Sequence, residues 1–325
     1  MTDYRLLAQS FGGPEVITIE PLAAGPVAPG QARVRHTAIG VNFIDIYLRS
    51  GLYPQALPAL MGVEAAGVIE ALGEGVTGLR LGQRVAYAGA APGSYASWAD
   101  IPADRLLPLP DGISEETAAA AMLKGLTVHM LIHSCTRIKA GQTALVHSAA
   151  GGVGRLLVQW LSMIGVRVVA HSGSAAKAAI ATGLGAALSL HCPFDELAAR
   201  VREATHGLGV DVAYDGVGAA SWVASLDSLR RRGMMVSFGN ASGVVPPISL
   251  RDLTSRGSLT LIRPSLFDYI IDRAELATAA EAVFAMLGGG KLDIEIGLRL
   301  PLRDAAEAHR ALEDRRTSGS IILIP

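Results

Sequence analysis

Up to about residue 110, apolar and polar side chains alternate in short runs broken by glycine and proline. Residues 16–20 and 32–38 carry the two-residue period of half-buried strands, and residues 67–72 and 84–87 are shorter candidates with glycine close by. Several short strands joined by turns predict a compact, antiparallel, β-rich unit.

The period changes at Ser114. Ser114-Glu115-Glu116-Thr117 offers an N-cap and an acidic first turn ahead of an alanine-rich helix. From there to about residue 262, strand-like runs at 143–147, 166–170, 187–190, 210–214, 233–238 and 258–262 alternate with helix-like runs at 153–164, 174–182, 194–205 and 219–230. Such alternation with short connections predicts a parallel sheet covered by helices. Near residue 265 the pattern changes again, to a helix over 273–287, a Gly288-Gly289-Gly290 stop, a helix around 302–312 and a final strand at 320–324. A tail that small buries no core of its own, so it is expected to dock on the N-terminal unit. The predicted class is α/β: a doubly wound parallel sheet over residues 122–264, inserted between a β-rich first part, residues 1–121, and its C-terminal return, residues 265–325.

The segment Ser148-Ala149-Ala150-Gly151-Gly152-Val153-Gly154 joins the run at 143–147 to the helix that follows. Strand, glycine turn and helix form the context of a dinucleotide fingerprint, in which Gly151 and Gly154 are the last two glycines and Ala149 replaces the first. Small residues let the backbone approach a pyrophosphate, and the N–H groups at the helix start attract its charge. Beyond the next strand an NAD site places Asp or Glu on the ribose, whereas this chain has His171-Ser172-Gly173-Ser174 and then Lys177. A ribose 2′-phosphate suits that strand end, so the expected cofactor is NADPH.

Composition narrows the classes. Half of the residues are hydrophobic and 18% are charged, ample for sizeable cores, and the formal net charge of -1 gives no general attraction to nucleic acid. No apolar run reaches the length of a membrane span, and the start lacks the basic-then-apolar pattern of a signal peptide, so a cytoplasmic location is expected. Cys135 and Cys192 are too few for a disulfide framework and lack zinc-ligand spacing.

Ordered blocks then run almost end to end: Gly12-Gly13-Pro14-Glu15-Val16, Gly40-Val41-Asn42-Phe43-Ile44-Asp45, Arg49-Ser50-Gly51-Leu52-Tyr53-Pro54, Leu123-Lys124-Gly125-Leu126-Thr127, the glycine turn, Tyr214-Asp215-Gly216-Val217-Gly218, Ser237-Phe238-Gly239-Asn240, Arg263-Pro264-Ser265-Leu266 and Gly319-Ser320. In these blocks the chain resembles the zeta-crystallin-type quinone oxidoreductases of the medium-chain dehydrogenase/reductase superfamily, the bacterial NADPH:quinone reductases in particular. The resemblance implies a GroES-like catalytic domain formed by both chain ends, an inserted Rossmann domain, a cofactor cleft between them and a homodimer. Zinc-dependent members of the superfamily use a Cys and a Gly-His-Glu segment. Here Asp45 and Gly62-Val63-Glu64 stand at those places, and the region of their structural cysteines, around 88–105, has none. A zinc-polarised alcohol mechanism lacks its ligands, and no metal is expected.

The resemblance also assigns residues. Asn42, Tyr47 and Tyr53 are the catalytic candidates near the nicotinamide, and Asn42 is expected to contact the cofactor as well. An amide can donate to a carboxamide or acceptor oxygen, and a tyrosine offers a flat apolar face plus a phenolic donor. Other expected cofactor contacts are Lys124, Thr127, Ala150, Gly151, Gly152, Val153, Gly173, Ser174, Lys177, Phe238, Asn240 and Arg315. The plainer readings are a half-buried ring with a satisfied hydroxyl for each tyrosine, a snorkelling or solvated cation for Lys124 and Lys177, and a turn for Gly239-Asn240. One block departs from the family: relatives carry Asn-Tyr, with the Tyr beside the 2′-phosphate, where this chain has His191-Cys192.

The implied reaction is hydride transfer from NADPH to a quinone. The resulting hydroquinone anion is modestly stable and takes its proton from water, so no strong general acid is required. Activated carbon–carbon double bonds in enals, enones or enoyl thioesters form the second substrate class, where Tyr53 would be the acid that protonates carbon. A non-catalytic, crystallin-like NADPH- or RNA-binding protein is the third reading, and the absence of a basic stripe speaks against its RNA form.

Overall fold

The alternating N-terminal runs become β1 (Tyr4–Ala8), β2 (Ile17–Pro21), β3 (Gln31–Val41), β4 (Ala59–Leu60), β5 (Glu64–Leu72), β6 (Arg84–Ala88), β7 (Trp98–Pro102) and β8 (Leu107–Pro108), with helix α1 (Phe43–Ser50) after β3. The computed structural model describes residues 3–89 and 92–325. β1 pairs antiparallel with both β2 and β4. β3 is the central strand of the larger sheet, pairing antiparallel with both β5 and β7. Helix α1 was not legible as a helix. Its start is fixed by Asn42, whose backbone N–H donates to the Asp45 carboxylate, and its end by Gly51 in the left-handed region at φ 79.

Helix α2 (Glu115–His129) continues into a π-helical turn, Met130–Thr136. Then follow β9 (Thr143–His147), α3 (Gly152–Met163), β10 (Arg167–His171), α4 (Ala175–Gly183), β11 (Leu188–Leu190), α5 (Phe194–Ala204), β12 (Val210–Asp215), α6 (Trp222–Ser228), β13 (Leu229–Ser237), α7 (Leu250–Ser255) and β14 (Thr260–Ile262). All six strands are parallel, in the order β11-β10-β9-β12-β13-β14. This is the doubly wound order that reverses between β9 and β12. Leu145, Val169, Leu197, Ala213 and Met235 lie in its core.

The helix expected over 219–230 is shorter. The Asp215 carboxylate takes the N–H groups of Val217 and Gly218, which holds a turn there, and β13 already starts at Leu229. Its first residues are Leu-Arg-Arg-Arg, a polar run with no strand period, so propensity was overruled by pairing with β12.

The chain returns through α8 (Arg273–Gly288), β15 (Ile296–Pro301), α9 (Ala305–Glu313) and β16 (Ser320–Ile324). β16 pairs antiparallel with β3 and parallel with β15, giving the sheet order β15-β16-β3-β5-β6-β8. Leu6, Ile39, Ile69, Tyr87 and Leu323 fill its core. The tail therefore completes the N-terminal sheet. The two units are Met1–Gly125 with Ile271–Pro325, and Leu126–Ile270.

The β9–α3 turn tolerates no side chain at Gly154, where a Cβ would collide with the Ser148 carbonyl oxygen and stand 2.9 Å from Ala149 Cα. Both obstacles are backbone, which cannot swing aside. At Gly173 an added Cβ meets nothing within 4 Å. Gly154→Ala should therefore destabilise the protein by about 1–3 kcal/mol in denaturant unfolding, while Gly173→Ala leaves the midpoint within error.

Candidate active site

In the first unit, polar side chains gather where β3 ends, around a carboxylate with no solvent access. Glu64, at the start of β5, accepts from the Leu123 N–H at 2.6 Å through Oε1 and from Asn42 Nδ2 at 2.8 Å through Oε2. Lys124 Nζ lies 3.8 Å from the same Oε2 and has no hydrogen-bond partner, although the side chain is buried. Burial pushes the Glu64 carboxyl above its usual range, and Lys124, the Leu123 N–H and the Asn42 amide pull it back. Because a carboxylate only accepts, the orientation of the Asn42 amide is fixed: one N–H is committed to Glu64.

Asp45, in the first turn of α1, is equally buried. Its Oδ2 accepts from the Asn42 N–H at 2.8 Å and the Tyr95 hydroxyl at 3.1 Å, while Oδ1 has no partner. Burial pushes this carboxyl up to about 7 against those two donors. Behind it, Tyr95 Oη is 3.0 Å from His309 Nε2, and His309 Nδ1 is 3.1 Å from Arg49 Nη1. Arg49 can only donate, so Nδ1 accepts and Nε2 carries the imidazole proton. Arg49 in turn pairs with Glu313 through both of its Nη nitrogens. Burial and the Arg49 charge drive His309 down to about 3, so it stays neutral. Among the described residues no group of three or more His, Cys, Asp or Glu side chains is placed to hold a metal ion.

Tyr47 is buried on α1 and packs edge-on against the exposed Tyr53, with ring centroids 5.2 Å apart. Of the residues expected in this unit, Asn42 and Lys124 thus meet through Glu64, and the two tyrosines meet each other. Arg315 is exposed after α9, with its backbone in the left-handed region at φ 55. It belongs to the first unit, whereas Lys177 belongs to the second.

In the second unit, β9 ends at His147 and the chain turns through Ser148 at φ 50. Gly151 is the N-cap of α3. No side chain caps that helix and its first turn holds no acidic residue. Ala150 is buried, and Gly151, Gly152 and Val153 are half-buried around the turn. A helix start without a side-chain cap, on a turn with no room for side chains, fits a pyrophosphate.

At the end of β10, Ser172 is buried and its Oγ has no hydrogen-bond partner. Gly173 is open, and Ser174 caps α4 by accepting from the Lys177 N–H at 3.3 Å. An unpartnered buried hydroxyl beside an open glycine fits the ribose end of a dinucleotide. His191 is exposed with Nδ1 3.3 Å from the Ser172 carbonyl oxygen, and the Cys192 carbonyl accepts from His171 Nε2 at 2.9 Å.

Phe238 follows β13 and lies against Gly216, where a Cβ would come within 2.8 Å of its ring. Asn240, in the orientation that satisfies both amide atoms, accepts from Arg263 Nη2 at 3.0 Å. Thr127 is half-buried on α2.

Glu64 and Ser172 were not among the expected site residues, nor was the pair His147 and His171. Polar residues closing otherwise apolar strands, as in Thr143–His147 and Arg167–His171, were the available signal.

Comparison with known proteins places these features. The model of the alcohol dehydrogenase GroES-like domain matches residues 28–111, and that of the zinc-binding dehydrogenases matches residues 152–285. The quinone oxidoreductase of Salmonella typhimurium is 46% identical over 325 residues, covering 99% of both chains. A 2-haloacrylate reductase from Burkholderia is 39% identical, over 97% of this chain and 96% of its own. The crystal structure of Escherichia coli quinone oxidoreductase complexed with NADPH superimposes with a TM-score of 0.96 at 43% identity, covering 99% of this chain and all of that one. With full-length identity of this order and the same two-unit fold, the chain belongs to the quinone oxidoreductase family of the medium-chain dehydrogenase/reductase superfamily.

Proposed function

We propose that this protein is an NADPH:quinone oxidoreductase that works without a metal. The observation that carries the reading is the strand end at β10. It offers no carboxylate to a ribose 2′-hydroxyl, and it presents the unpartnered Ser172 hydroxyl, open Gly173 and the start of α4 with Lys177. The Escherichia coli relative of the same fold carries NADPH in its crystal structure. A homodimer, a cytoplasmic location and domain boundaries at 121/122 and 264/265 belong to the same proposal.

When bound, NADPH supplies the hydride. Gly151, Gly152 and Val153 of α3, with Ala150 before them, would hold the pyrophosphate by backbone N–H groups and the helix dipole. Ser174 has its hydroxyl committed to capping α4, so its part in phosphate binding is to fix Lys177 on the first turn. Lys177 and Arg315 would meet the 2′-phosphate as cations. Phe238, Asn240 and Thr127 would line the nicotinamide side.

Asn42 and Lys124 are the two groups suited to an acceptor oxygen that gains charge. Asn42 keeps one amide N–H beyond the one given to Glu64. The Lys124 ammonium is held in a low-dielectric site by Glu64 without a hydrogen bond, which leaves its donors for a ligand. Tyr47 and Tyr53 form an edge-on pair that offers an apolar face to a planar ring. The hydroquinone anion then takes its proton from water.

Replacing either Lys177 or Arg315 with Ala should raise the KM for NADPH and leave that for NADH nearly unchanged; equal loss with both cofactors would remove the 2′-phosphate assignment. Lys124→Met should lower kcat/KM for 1,4-benzoquinone by about 10- to 100-fold. Adding Glu64→Gln to that variant should recover stability, because no uncompensated carboxylate is left buried, but not activity. Turnover should survive chelators. Activity on 2-alkenals with inert quinones would give the second substrate class its place.

A further inference from the structure

The parallel sheet carries two buried imidazoles side by side at its cofactor end. His147 closes β9 and His171 closes β10, and the two are register partners. Their Nδ1 atoms are 3.4 Å apart. The outer nitrogens have defined partners: His171 Nε2 lies 2.9 Å from the Cys192 carbonyl oxygen, and His147 Nε2 lies 2.8 Å from Ser225 Oγ.

Counting protons along this chain gives a specific result. A carbonyl only accepts, so His171 Nε2 carries a proton. At the other end Asp215 is buried, and its Oδ2 lies 2.6 Å from both Ser221 Oγ and Ser225 Oγ. The single Ser225 proton goes to that carboxylate, so His147 Nε2 must donate to Ser225. With one proton each, both placed on the outer nitrogens, the two neutral rings face each other lone pair to lone pair. The gap between the Nδ1 atoms has room for one more proton, and Asp215 is already present as its counter-charge.

Burial keeps that proton off: it drives His147 down to about 4 and lowers His171, while Asp215 pulls both the other way. The Phe194 ring packs on both imidazoles, with centroids 5.8 and 4.9 Å away. Of the other titratable groups nearby, His191 follows β11 and disfavours charge on His171. Asp195, Glu196 and Arg200 of α5 act on the Cys192 thiol. Lys177 stands on α4, which begins after Ser174. A further anion would add to the pull of Asp215, and the place for it adjoins His171, at Ser172 with its unpartnered Oγ.

We infer that the His147–His171 pair takes up a proton when the cofactor's 2′-phosphate binds, making the pair a specificity-determining charge for NADPH over NADH. The inference rests on the NADPH reading above. The proton comes from solvent and bridges the two Nδ1 atoms as a shared imidazolium. This gives the strand end a buried cation beside Ser172. The phosphate's own proton moves the opposite way, because a basic site prefers the dianion and expels it.

Isothermal titration of the native protein with NADPH and with NADH, at pH 7 in buffers of different ionisation enthalpy, tests this. NADPH binding should take up as much as about one proton per site, and NADH binding none. The ratio of the NADH to the NADPH dissociation constant should rise as pH falls from 8.5 to 6.5, by up to about tenfold per unit. His147→Gln and His171→Gln each keep the outer hydrogen-bond partner but cannot become charged, so both should abolish the uptake and flatten the ratio. Saturable NADPH binding with no uptake, with net release, or with equal uptake for NADH would overturn the inference and leave the cofactor assignment standing. Absence of NADPH binding would overturn both. The native comparison decides the matter even if the variants fail to fold.

Discussion

The first unit is organised by the burial of a single carboxylate. Glu64 has no access to water, and an isolated charge there would cost several kcal/mol. Two segments must therefore bring three donors to it: the Asn42 amide from the end of β3, and the Leu123 N–H and the Lys124 ammonium from α2. Gly40 must have no side chain, because a Cβ there would collide with both the Glu64 carboxylate and the Ala119 carbonyl. The register of β3 on β5, which pairs Ile39 with Ala65, is thereby tied to the position of α2. A shift of one residue would leave the carboxylate unpaired. The same requirement fixes the Asn42 amide and suspends Lys124 without a hydrogen bond, so what holds the fold also sets the two groups proposed to meet an acceptor oxygen.

The second unit obeys a different constraint. Apart from the arginine run that opens β13, its central strands are largely apolar and close on polar residues, His147, His171, Asp215 and Ser237. In a doubly wound sheet those ends face the crevice at the switch point, here between β9 and β12, and their polar groups take partners from the helices and loops that follow the strands. Asp215 shows the double use: Oδ1 takes the N–H groups of Val217 and Gly218 and so shapes the turn after β12, while Oδ2 reaches through Ser225 toward His147.

The parallel sheet was legible because each strand is a short apolar run between turn residues, a pattern local in sequence. Five of its strands both begin and end within two residues of the expected runs; β13 ends as expected but starts four residues early, because Arg230, Arg231 and Arg232 hide its first half. The glycine turn was legible for the same local reason. Glu64, Tyr95 and His309 were not. Each is an unremarkable polar residue in its own segment, and their association depends on contacts such as Tyr95 to His309, separated by 214 positions. Ser174 illustrates a smaller limit: the segment was identified, but the hydroxyl serves the helix as its cap.

By the resemblance, Asp45 and Glu64 fall where zinc-dependent members of the superfamily carry a thiolate and a Gly-His-Glu segment, and here both carboxyls have other partners. A metal ligand needs a deprotonated atom with a lone pair free on its coordinating side. Asp45 Oδ2 accepts from Asn42 and Tyr95, Oδ1 is buried without a partner on a carboxyl that burial raises to about 7, and the chain through His309 to Arg49 locks Tyr95 in place. Both Glu64 oxygens are likewise engaged within the protein. Side chains at these positions therefore serve as internal hydrogen-bond acceptors that hold α1, β5 and α2. The proposed site offers an amide, an ammonium and flat aromatic faces. It suits an acceptor whose reduced anion is stabilised by its own conjugation, and a quinone meets that condition where a simple ketone does not.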